Sequence, residues 1–308
     1  MELSTYYYKA YGLSIGSELP LPPLVPHNNI ASTVDLTIKR RRLLESPPLG
    51  TTKAYRAGLN ARFAQNGPYC LWLDWSPVVS FMAINGNELL LETTRNEADL
   101  ISLFTLSEAL GLILFQKKYF LLHGSAVQID GQGVVFLGEP GAGKSTTIAA
   151  FAQKGVPVIS DDMVCIQIDK TGIPWLIPAF PQIKIWENTA DGLQLPKEKM
   201  SPVQEGVNKF SWQDSIAFEE KAVPLKQLFI LTPANPLGTI TKQIPQSQAP
   251  VELIRYFPLP DALLNGEALK EYFEKSITIA KTIPVLKLSR PADFTKLYEF
   301  VDYLKTTL

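Results

Sequence analysis

The octapeptide Gly138-Glu139-Pro140-Gly141-Ala142-Gly143-Lys144-Ser145 constrains this chain more than any other stretch, because it has the spacing of a phosphate-binding loop. Glycines let the backbone bend so that successive N–H groups point at one anion, and the helix that follows adds the positive end of its dipole. Lys144 can then reach terminal phosphates, and the Ser145 hydroxyl can ligate Mg2+. The flanks agree. Gly133–Leu137 is a short apolar, β-branched run suited to a buried strand, and Ser145–Lys154 reads as a helix stopped by Gly155. A nucleoside triphosphate is the ligand this arrangement implies, with the backbone amides of Glu139 to Ser145 around its phosphates and Thr146 just beyond them.

Two neighbouring elements bear on what is done with the phosphate. Downstream, the apolar strand Val156–Ser160 ends in Asp161 and Asp162. Carboxylates leaving a strand beside such a loop stand where a metal ligand and a general base are wanted. Adjacent carboxylates repel, so one is expected on Mg2+ while the other takes a hydroxyl proton. Upstream, His123-Gly124-Ser125 follows the apolar Tyr119–Leu122. His123 lies one hairpin before the loop, with Asp130-Gly131-Gln132-Gly133 as the intervening turn, which brings it near the phosphate end.

With these residues in place, the sequence resembles the catalytic domain of HPr kinase/phosphorylase, a bacterial serine kinase related to phosphoenolpyruvate carboxykinases. The resemblance spans roughly residues 97 to 190: His-Gly before the loop, the loop with its Lys-Ser, and Asp-Asp after the next strand. It implies an α/β (α+β) fold with a phosphate-loop nucleotide-binding core of that kind over 96–308, using ATP or another nucleoside triphosphate with Mg2+. By the same resemblance Asp161 is the base toward a target serine, Asp162 and Ser145 lie at the metal, and His123 supports the catalytic aspartate. Two departures matter. Thr146 stands where the bifunctional enzymes carry glutamate, and their later Leu-Glu-x-Arg-Gly-x-Gly signature has only a partial echo in Ile185-Trp186-Glu187-Asn188. Both weigh against a phosphorylase reaction and against HPr as acceptor. The opening Tyr8–Leu13 and Ser17–Pro22 are closer to the HPr-kinase-like proteins of ribosomal peptide pathways, which phosphorylate a precursor peptide, at its C-terminal serine in lasso peptide clusters. HPr kinases are hexamers, so a homo-oligomer is among what the resemblance allows.

The remainder of the 308 residues reads as follows. A hydrophobic content of 46% with 19% charged residues suits a globular protein with a sizeable core, and a net charge of −1 gives no broad attraction to nucleic acid or membrane. Cys70 and Cys165 sit in apolar runs as free thiols, Met1–Tyr8 lacks the form of a secretory signal, and Leu100–Phe115 is interrupted by Ser102, Thr105, Ser107 and Glu108. A cytoplasmic protein is expected. Residues 1–95 read as a β-rich lobe with strands over Thr33–Lys39, Cys70–Trp75, Val78–Ile84 and Glu88–Thr93, whose edges suit an added peptide strand. Lys39–Arg42 is a basic run read as a solvated strand end.

Asn96–Lys117 reads as a helix packed between the lobe and the nucleotide-binding part. Pro196–Ala222 is polar without periodicity and is expected to be a long loop or lid, with Lys209 either an exposed lysine or a contact to a phosphate or an acidic substrate end, and Glu187 either supporting the site or merely on the surface. Transfer of a γ-phosphoryl group to a peptide serine is the expectation. A small-molecule kinase and a nucleotide-gated binding module are the competing readings.

Overall fold

The computed structural model describes residues 5–27, 33–203, 208–232 and 239–308. They divide into two compact units, Met1–Leu121 with Pro258–Ala268, and Leu122–Phe257 with Leu269–Leu308.

The first unit is built on an eight-stranded sheet. Its strands are β1 (Tyr6–Ala10), β2 (Leu13–Ser17), β3 (Leu36–Arg40), β4 (Gly50–Arg56), β5 (Leu59–Asn66), β6 (Cys70–Trp75), β7 (Val79–Ile84) and β8 (Glu88–Glu92). They lie in the order β1-β2-β3-β8-β7-β6-β5-β4, parallel at β2–β3 and β3–β8 and antiparallel elsewhere. Alternation decides which face is buried: in β5, Ala61 and Phe63 point inward while Asn60 and Arg62 point to solvent. The basic run is engaged locally, Lys39 with Glu88 at 2.8 Å and Arg41 with Glu18 at 2.6 Å.

Helices α1 (Ala98–Phe104) and α2 (Leu110–Gln116) follow, joined through a widened turn at Ser107, and α2 packs on β7 and β8. The Trp75 ring meets Phe104 at 5.1 Å and Phe81 at 6.2 Å, tying the helix to the sheet. These contacts place the helix in the first unit, so the boundary falls at Leu121/Leu122 and not near residue 95. The stretch Ala98–Gln116 has the length and hydropathy of a membrane span, but its apolar window is 67% buried inside the fold, as in a core helix.

In the second unit β9 (Phe120–Ile129) and β10 (Gln132–Leu137) form the expected hairpin, and α3 (Lys144–Gln153) follows the glycine loop. Gly155, at φ 74°, ends α3: its N–H bonds to Ala152 and that of Val156 to Phe151, a left-handed cap only glycine enters without strain. Next come β11 (Val158–Ser160), β12 (Met163–Ile168), β13 (Pro174–Ile177) and β14 (Ile183–Trp186). The short helix α4 (Glu187–Gly192) leads to β15 (Met200–Pro202) and β16 (Lys209–Trp212). The chain then runs through β17 (Val223–Thr232), β18 (Ile240–Gln243), α5 (Ala249–Ile254), α6 (Gly266–Thr282), β19 (Val285–Ser289) and α7 (Leu297–Thr307).

The main sheet has the order β10-β9-β12-β13-β17-β19-β18, and β17 also pairs in parallel with β10, so the ladder returns on itself. Phe136 at its centre contacts Phe151 of α3 and Phe229 of β17 at 5.6 and 5.7 Å. The segment expected as a long lid is different: β16 pairs with both β14 and β15 to make a three-stranded sheet. The strands are too short and polar to show periodicity, and pairing with the half-buried β14 stabilises them. Residues 204–207 of that segment lie outside the described residues.

Asp74 tests the first unit. Its side chain is 7% exposed, and it accepts from Ser80 (2.5 Å), Ser76 (2.7 Å) and Arg62 (2.5 Å). Burial pushes its carboxyl up, but the bonds from Ser80, Ser76 and Arg62 outweigh that and hold it below the usual range. A lowered folded pKa stabilises above the unfolded value, near ~4, and that stabilisation is lost as pH falls through the folded pKa. Asp74→Asn should cost about 1–3 kcal/mol at neutral pH. In urea melts the gap to the parent should close as pH drops below ~4; a pH-independent gap would show that charge is not what matters.

Candidate functional site

The site grows from the ends of β10, β11 and β19. After β10 the backbone turns through Gly138 (φ 155°), Gly141 (φ 86°) and Gly143 (φ 93°), and α3 starts at Lys144. Gly143 has no alternative: besides its left-handed φ, a Cβ there would sit 2.3 Å from Nε of Arg290. Lys144 is buried, and its Nζ donates to the carbonyl of Gly138 at 2.7 Å and lies 3.4 Å from that of Glu139. Burial pushes its pKa down, against the pull of Asp161 and Asp162.

The two aspartates diverge. Asp161 Oδ1 accepts from the hydroxyls of Ser125 (2.7 Å) and Ser145 (3.2 Å), and Oδ2 accepts the backbone N–H of Lys184 at 2.8 Å. The backbone then enters the left-handed region at Asp162, φ 77°, which turns the second carboxylate to another side. There Lys184 Nζ donates to Asp162 Oδ2 at 3.0 Å, and Nδ1 of His123 lies 3.8 Å from Oδ1. Sequence reasoning set Ser145 with Asp162 at a metal; in the structure the Ser145 hydroxyl bonds to Asp161. The hydroxyl meets Asp161, because the turn at Asp162 separates the adjacent side chains.

His123 Nδ1 lies 3.0 Å from the carbonyl of Asp162. A carbonyl only accepts, so Nδ1 carries the proton and Nε2 keeps its lone pair. Burial lowers the pKa of His123, with Asp162 pulling the other way, so the ring is neutral at neutral pH. Ser125 was within reach of sequence reasoning, since it shares a strand face with His123 two residues earlier.

These groups open on a cleft of about 770 Å³. Of the sequence-predicted residues, His123, Pro140, Gly141, Gly143, Lys144, Ser145, Thr146, Asp161, Asp162, Glu187 and Lys209 all line it. Gly138, Glu139 and Ala142 shape the loop behind, with Gly138 and Glu139 holding Lys144. Thr146 Oγ1 is 3.0 Å from Thr189 Oγ1, Glu187 pairs with Lys197 at 3.3 Å, and Lys209 Nζ lies 5.4 Å from the centre of the Trp186 ring. Trp186, Asn188, Asn208 and Arg290 are lining residues that sequence reasoning missed. For Arg290 a signal existed: it directly follows β19, and ligands collect where parallel strands end. Among the described residues no group of three or more His, Cys, Asp or Glu could hold a metal by itself.

A glycine loop and a buried lysine thus face two carboxylates and a neutral imidazole. No family model matches the chain. A stretch of 67 residues is 37% identical to the HPr kinase/phosphorylase of Mycoplasmopsis pulmonis, covering 21% of this chain and 22% of that protein. The chain thus matches about a fifth of the curated relative's length. Among solved structures, the Hpr(Ser) kinase/phosphatase from Coxiella burnetii matches at 15% identity over 60% of this chain and 91% of that one, with a TM-score of 0.32, too low to bear on the site.

Gly143→Ala should destabilise the second unit by at least about 1–2 kcal/mol, the cost of a left-handed alanine, with displacement of Arg290 added. Urea unfolding followed by tryptophan fluorescence measures it. An unchanged midpoint would mean that the loop relaxes freely.

Proposed function

We propose that this chain is a kinase that moves the γ-phosphoryl group of ATP to a serine hydroxyl of a peptide, in the reading closest to the sequence the C-terminal serine of a lasso-type precursor. The observation that carries the kinase reading is the 3.2 Å contact between Ser145, in the first turn of the loop helix, and Asp161, with Lys144 beside them. The peptide acceptor rests on the family resemblance of the sequence.

In this reading the loop amides and Lys144 bind the polyphosphate, exchanging Lys144's bonds to its own loop for bonds to phosphate oxygens. Mg2+ prefers one or two carboxylate-type oxygens completed by phosphate and water, and the adjacent Ser145 hydroxyl and Asp161 carboxylate suit it. When bound, Mg2+ neutralises charge developing on the bridging oxygens. The acceptor oxygen attacks the γ-phosphorus in line, the bond to the β-bridging oxygen breaks, and ADP leaves. The hydroxyl proton goes to Asp162, held in place by Lys184 and His123. This exchanges the aspartate roles that the family resemblance implies, on the ground that Ser145 and Asp161 are already adjacent as a metal pair would be.

Incubating the full chain with ATP, Mg2+ and a peptide ending in serine should add one phosphate by mass spectrometry, with HPr-type protein and free serine as competing acceptors. Lys144→Ala should lower nucleotide affinity and transfer together. Asp162→Asn should lower transfer by about 10²–10⁴-fold with nucleotide affinity kept, whereas Asp161→Asn should lose the Mg2+ dependence of nucleotide binding. Near-parental turnover in Asp162→Asn would return the base role to Asp161. Nucleotide binding without transfer to any acceptor would point to a binding module instead.

A further inference from the structure

Arg290 is the group in this cleft whose chemistry is unfinished. It follows β19 directly, lines the cleft, and rests its guanidinium on Gly143, where a Cβ would meet Nε, Cζ and Nη2 at 2.3 to 2.8 Å. Nη1 donates to the carbonyl of Pro291 at 2.9 Å, while Nε is buried and finds no acceptor among the described residues. Burial lowers its pKa, and no carboxylate acts in the opposite direction. A guanidinium in that position is costly until an anion completes it, and its fork suits two oxygens of one phosphate group.

Position in the cleft says which anion. Lys144 precedes Ser145, whose hydroxyl lies 3.2 Å from Asp161, so it belongs to the end of the cleft where the aspartates stand. Arg290 sits against Gly143, with Thr146 and Phe294 also on the cleft wall. We infer that Arg290 binds the diphosphate part of the nucleotide, the part that ATP and ADP share, and so fixes the donor without touching the transferred group. This rests on the nucleotide reading above and goes beyond it by separating Arg290, which holds the donor, from Lys144, which stands at the transfer end.

Calorimetric titration of the full chain with ADP and with ATP, in the absence of any acceptor, tests it. Arg290→Ala should weaken both nucleotides by a similar factor, roughly 10- to 100-fold, the range of a charge-assisted hydrogen bond. Arg290→Lys should recover only part, since a point charge does not reproduce the fork. Thermal melts separate this from a structural role. Without nucleotide, Arg290→Ala should melt at or above the parental temperature, because it removes a half-buried cation whose Nε is unsatisfied, and its nucleotide-induced shift should shrink. A lower melting temperature of the nucleotide-free variant with parental nucleotide affinity would make Arg290 structural and overturn the inference. Loss of ATP affinity with ADP affinity intact would place the residue on the terminal phosphate and also overturn it. Parental nucleotide affinity with weakened binding of a peptide carboxylate would assign it to the acceptor, against the inference. Should the parent bind neither nucleotide, the nucleotide reading itself fails, and the inference with it.

Discussion

One carboxylate holds the second unit's site together. Asp161 receives a hydroxyl from β9, a hydroxyl from the first turn of α3 and a backbone amide from β14, three elements that are distant in sequence. Hydrogen bonds to an ionised group are each worth roughly 1.5–3 kcal/mol net, so this junction is strong enough to fix the glycine loop against the strand that carries His123. Ser125 is fully buried, so its hydroxyl has no water to turn to, which makes the contact with Asp161 an obligation of the fold as well as a feature of the site.

The β14 strand shows how a short stretch can be both scaffold and site. Ile183 and Ile185 point into the core with Phe300 and Leu304, while Lys184 and Trp186 point the other way. The same strand therefore clamps Asp161 through the Lys184 amide, engages Asp162 through the Lys184 ammonium, and offers Trp186 to the cleft. Pairing with β16 then sets Lys209 beside Trp186, so two residues far apart in sequence form one wall.

What could be read from sequence follows the strength of the local signal. The loop, its helix, the β9–β10 hairpin and the meander of β6, β7 and β8 were legible because glycine spacing and apolar runs encode them directly. The hairpins β1–β2 and β4–β5 were missed: their two-residue turns are Tyr11-Gly12 and Ala57-Gly58, with all four residues at positive φ, and the usual asparagine or aspartate at the first position is absent. The pairing of β15 and β16 with β14 was illegible because it depends on a long-range partner more than on propensity. In the site, adjacency of Asp161 and Asp162 was visible but their divergence was not, since it depends on a left-handed turn that aspartate tolerates without advertising it.

Lys144 and Arg290 are satisfied unequally, and the inequality has a physical consequence. Lys144 is flexible enough to curl back on the carbonyls of Gly138 and Glu139, so its charge is solvated by the loop itself. Arg290 is rigid at the fork, is pressed on Gly143, and leaves Nε without an acceptor among the described residues. Lys144 must exchange existing bonds for any new anion, whereas that nitrogen has none to exchange. The gain per new bond is therefore larger at the arginine, because an unmade bond to a buried charge is worth more than an exchanged one. The glycine that gives the loop its left-handed turn is also the one that makes room for this guanidinium, so loop shape and charge placement are set by the same missing side chain.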